Sequence, residues 1–367
     1  MRLKLAERLL VETMGWKPEQ VSKERALIQA MADFKYDEYQ QFSPGIRYVE
    51  SLVRWLKQFE TIEERQVAYD FVKDQLIFFS NDQVTHLVNI TYADKINPVL
   101  MGKTASVINI NPLWVRKIFN STTYKVLLRR SLFIGLSDGS KIDQLRRSNV
   151  RISNEQVLST YSISEEKVAD MLIELKKSKI KDHKFNTIFL IDDFTASGTS
   201  YFRKGAKGWG GKIFKFLSAL FIEKSEISKL INDVEVEIIE LHIIFYVATQ
   251  DALTRLNDNI KDFLLENPQI KIIYSVQAIQ IIGDIVKEKV LQNTDFVDLI
   301  KKYYDGSIND SHYKMGKHDE PYLGFNECCL PLILNHNTPN NSLPILWFPE
   351  DKAYTGLFPR VTRHKDE

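Results

Sequence analysis

Over the first third of the chain, apolar positions recur at helical spacing. Tyr48, Val49, Leu52, Trp55, Leu56 and Phe59 form one stripe and leave Arg47, Glu50, Arg54 and Lys57 on the other face. Ser80-Asn81-Asp82-Gln83 reads as a capping box, in which Ser80 accepts from the amide of Gln83 and the Gln83 side chain reaches back, with Phe79 clasping Val84. Thr61-Ile62-Glu63-Glu64 reads as a second one. The aromatics of this region read as packing residues.

The pattern changes after Trp114. Short apolar runs at Ser131–Leu136, Thr187–Ile191, Ile238–Val247 and Ile270–Val276 alternate with helical stretches. Helices are expected near Ser153 (a capping box with Gln156), at Ser164 (with Ile163 stapled to Val168), from Lys212, and over Ala252–Leu265. Strands alternating with helices at this spacing imply an α/β fold with a parallel sheet. From about Asp305 the tail is rich in Asn, Pro, Gly and aromatics, with apolar runs at Cys328–Leu334 and Leu343–Phe348. The expected division is therefore a helical region over 1–115, an α/β core over 116–300 and a tail over 301–367. No internal repeat or low-complexity segment interrupts it.

Composition narrows the class. With 44% hydrophobic and 26% charged residues, the chain has the balance of a globular protein. Its longest apolar run, around Ile238–Ala248, is broken by Glu240 and His242 and is too short to cross a bilayer. Arg2, Lys4, Glu7 and Arg8 interrupt any leader-like apolar stretch. Cys328 and Cys329 are adjacent, read as buried strand residues, and fit a reducing interior, so the expected location is cytoplasmic. A net charge of +1 argues against a duplex-binding surface spread over the molecule. The run from Lys176 to Lys184 is the local exception, read as a solvated helix end or as a lid over an anionic ligand.

The stretch that carries chemistry is Ile188-Phe189-Leu190-Ile191-Asp192-Asp193-Phe194-Thr195-Ala196-Ser197-Gly198-Thr199-Ser200. Four apolar residues make a buried parallel strand, and two carboxylates sit at its carboxyl end, where open α/β sheets bind ligands. The loop of small hydroxylated residues beyond can aim amides and hydroxyls at a phosphate, with a helix dipole adding to the attraction. Two adjacent acids beside a phosphate site need something between them, such as a sugar diol with a hydrated Mg²⁺. The plainer reading is an acidic turn in which Asp193 or Ser197 caps a helix.

This stretch resembles the 5-phosphoribosyl-pyrophosphate signature of the type I phosphoribosyltransferases. The resemblance implies a parallel-sheet core with a C-terminal hood, here behind an α-helical N-terminal region. It implies that Asp192 and Asp193 hold the ribose hydroxyls and that Ala196, Ser197, Gly198, Thr199 and Ser200 cradle the 5′-phosphate. Such proteins bind pyrophosphate with an upstream loop, matched here by Ser137-Asp138-Gly139-Ser140-Lys141, with Arg146 and Arg147 about one helical turn later. Mg²⁺ would come with the ligand, and Lys141, Asp192 and Asp193 would serve catalysis.

There are departures. In the hypoxanthine–guanine branch the position of Ala196 is an Asp facing the purine, so 6-oxopurine salvage loses support. An insert, Gly205–Gly211, follows the phosphate loop, and the helices at Ser153 and Ser164 replace the usual hairpin lid. With the tail and the helical N-terminal region, these features resemble the phosphoribosyltransferase-like proteins of bacterial conflict systems, which implies an effector or nucleotide-modifying role rather than housekeeping salvage. The second substrate would lie under a hood formed by terminal segments such as Asn335–Trp347, where Trp347 reads as a buried aromatic or a base-stacking one and His336 as a turn residue or a polar contact.

Three readings follow. The first is an enzyme taking phosphoribosyl pyrophosphate, or a related phosphoribosyl nucleotide, as donor to an unidentified acceptor. The second is a sensor that binds the nucleotide and transfers nothing, working through a protein partner or a second copy. The third is a nucleic-acid effector using Lys176–Lys184 and Arg203–Lys212, whose binding would weaken steeply with salt.

Overall fold

The strand Thr187–Thr195 sits at the centre of a five-stranded parallel sheet, and its composition explains the position. Ile188, Phe189, Leu190 and Ile191 are each 0% exposed, as a strand covered on both faces requires. Each such side chain stabilises the fold by about 1.5–3 kcal/mol at most. Across the sheet the order is Val157–Leu158, Ser131–Gly135, Thr187–Thr195, Ile239–Thr249 and Ile272–Ile282. The computed structural model describes residues 3–177, 184–231, 238–309, 313–316 and 319–360.

Leu132, Ile134, Ile188, Leu190, Leu241, Ile243 and Phe245 project to one face, where the helices Glu165–Lys177, Lys212–Leu217 and Gln250–Glu266 cover them. On the other face, the Phe133 and Phe189 rings stack at 5.2 Å, and Phe189 stacks on His242 at 5.1 Å. Lys103, on the helix Asn97–Val107, pairs with Glu240 at 2.8 Å on that face. The expected parallel-sheet α/β core is therefore present.

The chain divides into two compact units, Thr85–Ile282 and Met1–Val84 together with Gly283–Glu367. This differs from the boundaries expected at 115/116 and 300/301. The helical start and the tail fold into one body because Ile77–Phe79 pairs in parallel with Leu332–Leu334. Phe71 of the helix Ile62–Gln75 stacks on Phe296 of the helix Thr294–Lys302, with ring centroids 3.5 Å apart. The amphipathic helix Tyr48–Lys57 buries the expected stripe in this core, but Glu50 is also buried, since it accepts from the amide of Arg47 at 3.1 Å. Both early capping boxes form, at Ser80/Gln83 and at Thr61/Glu64.

Several local expectations change. Ser153–Gln156 keeps its capping box but makes only a 3₁₀ turn before the edge strand Val157–Leu158. Gln156 is 1% exposed, and its amide donates to the carbonyls of Leu128 and Ser131, which ties the turn to the start of the neighbouring strand. The helix Glu165–Lys177 does form after Ser164. The insert is a hairpin, Arg203–Gly205 against Gly208–Gly210, with Trp209 packed on Phe202 and Phe263. Cys329 is buried with φ of 53° and Cys328 is half-buried, both ahead of the strand Leu332–Leu334 rather than in it. The lid reading of the lysine run falls on 178–183, outside the described residues. Among the described residues, no helix is long and apolar enough to cross a membrane.

Candidate functional site

Register brings two loops to one edge of the sheet. Gly135 pairs with Ile191, and the amide of Leu136 continues the ladder to the Ile191 carbonyl at 3.0 Å. The loop after Gly135 and the acid pair after Ile191 therefore emerge side by side at the carboxyl end. Because side chains alternate along a strand, Asp192 and Asp193 point to opposite faces, and their environments diverge.

Asp192 is 0% exposed. Its Oδ1 accepts from the Ser137 hydroxyl and from the amide of Asp193 at 3.1 Å. Its Oδ2 lies 2.8 Å from the Tyr201 hydroxyl and 2.8 Å from Lys212 Nζ. Lys212 also stands 4.7 Å from the centroid of the Tyr201 ring. Burial and the charge of Asp193 push the Asp192 pKa up, while Lys212 and the Ser137 hydrogen bond pull it down. Both oxygens are thus engaged by the protein.

Asp193 is half-buried and faces the upstream loop. Its Oδ1 accepts from the amide of Phe194 at 2.8 Å. A Cβ on Gly139 would collide with the Asp193 carboxylate, so glycine is what allows the loop to approach this closely. Lys141 follows in the left-handed region, with φ of 45°, and is half-buried. Burial lowers its pKa and the Asp193 charge opposes that shift. Beneath the loop, the Tyr246 hydroxyl donates to the Ser140 carbonyl, and Tyr246 has its pKa raised by burial and by the two acids.

The small-residue loop is largely satisfied from within. Thr195 Oγ1 accepts from the Gly198 amide at 3.2 Å, and Ser197 Oγ accepts from that of Thr199 at 3.4 Å. Thr249 Oγ1 donates to the Ala196 carbonyl at 2.6 Å and, as an N-cap, accepts from Ala252 at 3.1 Å. The helix whose amino end neighbours this loop is therefore Gln250–Glu266. The helix expected from Lys212 forms as Lys212–Leu217, after the hairpin, and its first amide donates to the Ser200 carbonyl at 3.1 Å. Ala196, Ser197 and Thr199 are buried, Gly198 takes φ of 72°, and Ser200 is exposed.

The structure thus joins Ser137–Lys141 to Asp193 and sets residues 196–200 at the end of the same strand. Arg146 and Arg147 occupy the last turn of the helix Ile142–Arg147, about 7 Å or more along its axis from Lys141. Sequence reasoning missed Tyr201, Lys212 and Tyr246. Tyr201 abuts the signature and Tyr246 lies in a recognisable strand, but nothing local marks either as a partner of the site.

Of the acids near the two loops, Asp138 is exposed, Asp193 is half-buried and Asp192 is fully buried. Among the described residues, no cluster of three or more His, Cys, Asp or Glu side chains could hold a metal alone.

A five-stranded parallel sheet ending in an acid pair and two such loops defines a phosphoribosyltransferase-like protein. The chain belongs to one such family, PRTase-CE, whose model matches residues 52–360. A search of curated proteins and one of solved structures finds no match.

Proposed function

We propose that the protein binds phosphoribosyl pyrophosphate, or a related phosphoribosyl nucleotide, with Mg²⁺ and transfers the phosphoribosyl group to an acceptor with release of pyrophosphate. The observation that carries this reading is the seating of the Ser137–Lys141 loop against Asp193 at the carboxyl edge of the sheet. Asp193 would hold the ribose hydroxyls, and the backbone of residues 196–200 the 5′-phosphate. In the transfer, the bond from the anomeric carbon to the pyrophosphate oxygen breaks and a bond to the acceptor forms. Lys141 and the amides of its loop would stabilise the charge that develops on the leaving group, which is where a preorganised site lowers the barrier most. Mg²⁺ would neutralise part of the pyrophosphate charge. Asp192 enters as a support that sets the angle of its neighbour. Ala196 cannot accept a proton from a purine, which disfavours 6-oxopurine acceptors. The resemblance to conflict-system proteins adds an effector role in bacterial antiviral defence to the proposal.

A second reading, a nucleotide sensor without turnover, is favoured by the closed hydrogen bonding of Asp192 and by the loop amides already committed at Gly198 and Thr199. Calorimetric titration with phosphoribosyl pyrophosphate and Mg²⁺ tests the site common to both. Saturable binding that is lost in Asp193→Asn is expected, and unchanged affinity in that variant would refute the assignment.

A further inference from the structure

Between Val115 and Arg151 the sequence carries nine basic residues against two acidic ones, in a chain whose net charge is +1. The structure collects three of them, Lys125, Arg129 and Arg151, around a cavity of about 440 Å³ that Phe119, Tyr124 and Ser153 also line. The volume falls in the range of small-ligand sites. Arg129 closes the helix Thr122–Arg129, just before the strand Ser131–Gly135 begins, and Ser153 precedes the strand Val157–Leu158. The cavity therefore opens at the amino ends of strands whose carboxyl ends carry the acid-pair site. The five residues of Ser131–Gly135, roughly 17 Å of strand, lie between the two.

The cations are held in place by neutral groups. Arg129 Nη1 donates to Ser153 Oγ at 2.9 Å. The Arg151 guanidinium lies 4.4 Å from the centroid of the Phe119 ring, which packs edge-on against Tyr124 at 4.9 Å. Among the described residues, none of the three forms an ion pair. Glu155 offsets part of the charge, since its carboxyl is held below the usual range by its own backbone amide first and then, among others, by Arg129. Arg151 also hydrogen-bonds the Tyr124 side chain. A guanidinium presents five donors in a planar fork that matches phosphate oxygens, so these contacts orient each group without using all of its donors. Fixing them before a ligand arrives lowers the entropy cost of binding.

We infer that this cavity is a second anion site, built to take the phosphate groups of a nucleotide-sized ligand, separate from the site at Asp193. Three cations gathered around one cavity suit a compact polyphosphate better than an extended nucleic-acid strand, which needs a stripe of charge.

The test is calorimetric titration of the full chain with ATP, with tripolyphosphate and with a single-stranded oligonucleotide, in EDTA so that no metal bridges ligand and protein. ATP is expected to bind saturably, with affinity falling about tenfold in Arg151→Gln. A fall of a few-fold is expected in Lys125→Gln, whose exposed side chain leaves the fold intact. Asp193→Asn should bind ATP as the wild type does, which separates this site from the one at the acid pair. Comparable binding of tripolyphosphate supports phosphate as the recognised group. The inference is overturned by any of three results: no saturable binding of ATP, wild-type affinity in both cavity variants, or saturable binding of the oligonucleotide alone.

Discussion

Lys212 holds its ammonium 2.8 Å from the carboxylate of Asp192, a group with 0% exposure, so the first acid of the pair is answered by the protein itself. The second acid, Asp193, is left to face the upstream loop. The two adjacent residues thus sit in different surroundings, Asp192 buried among Ser137, Tyr201 and Lys212 and Asp193 half-buried against the upstream loop.

If Lys212 is the counter-charge of a buried acid, Lys212→Met strands that charge. Breaking a fully buried pair costs about 3–5 kcal/mol, and because Lys212 is partly exposed a loss of about 2 kcal/mol is expected here. The pH dependence fixes the sign. The Asp192 pKa is raised above its ordinary value of 3.8, so its neutral form is favoured on folding and that stabilisation fades as pH rises. Urea midpoints should therefore show the variant most impaired at pH 8 and partly recovered at pH 5. A defect independent of pH would contradict the pairing.

Gly139 is constrained by a neighbour rather than by its own dihedral angles. Gly139→Ala would drive a methyl group into the Asp193 carboxylate, at a cost of about 1–3 kcal/mol or a displaced loop. Combining it with Asp193→Gly removes the collision, so the two changes should be strongly non-additive in a double-mutant cycle read by thermal unfolding. Additive effects would mean that the two groups do not meet.

In the other unit, Glu64 ties the helix Ile62–Gln75 to the segment after residue 283. Burial alone would raise its pKa, but hydrogen bonds from Lys302 and Tyr303 hold it at about 2, against an ordinary 4.5. A depressed carboxylate contributes stability that is present above 4.5 and lost as pH falls toward 2. Glu64→Gln should remove part of the acid sensitivity in that window, as followed by the pH dependence of the urea midpoint. An unchanged acid limb would show that the contact is spent on solvent screening.

The parts of this protein legible in its sequence are those specified locally. Ile188–Ile191 followed by two acids marks a buried strand and its carboxyl end, and the parallel register then carries the loop after Gly135 to Asp193. The environment of Asp192 is not legible, because Lys212 lies twenty residues downstream and is returned by a hairpin that no periodicity announces. The capping box at Ser153 is a true local signal, yet it decides only a turn, since Gln156 is claimed by carbonyls of Leu128 and Ser131. The union of the two chain ends rests on the three-residue strands Ile77–Phe79 and Leu332–Leu334, too short to show alternation. Trp347 is settled by burial. Its Nε1 donates to the Ser342 carbonyl at 2.7 Å and its ring belongs to the core of its own unit.

The most direct test is release of pyrophosphate from phosphoribosyl pyrophosphate with Mg²⁺, measured alone and with a panel of bases, nucleosides and cell extract. Turnover that an acceptor accelerates is expected, abolished in Asp193→Asn and reduced but measurable in Asp192→Asn, whose proposed role is support. Turnover that survives in Asp193→Asn, or none with any acceptor while the ligand still binds, would contradict the assignment of a transferase.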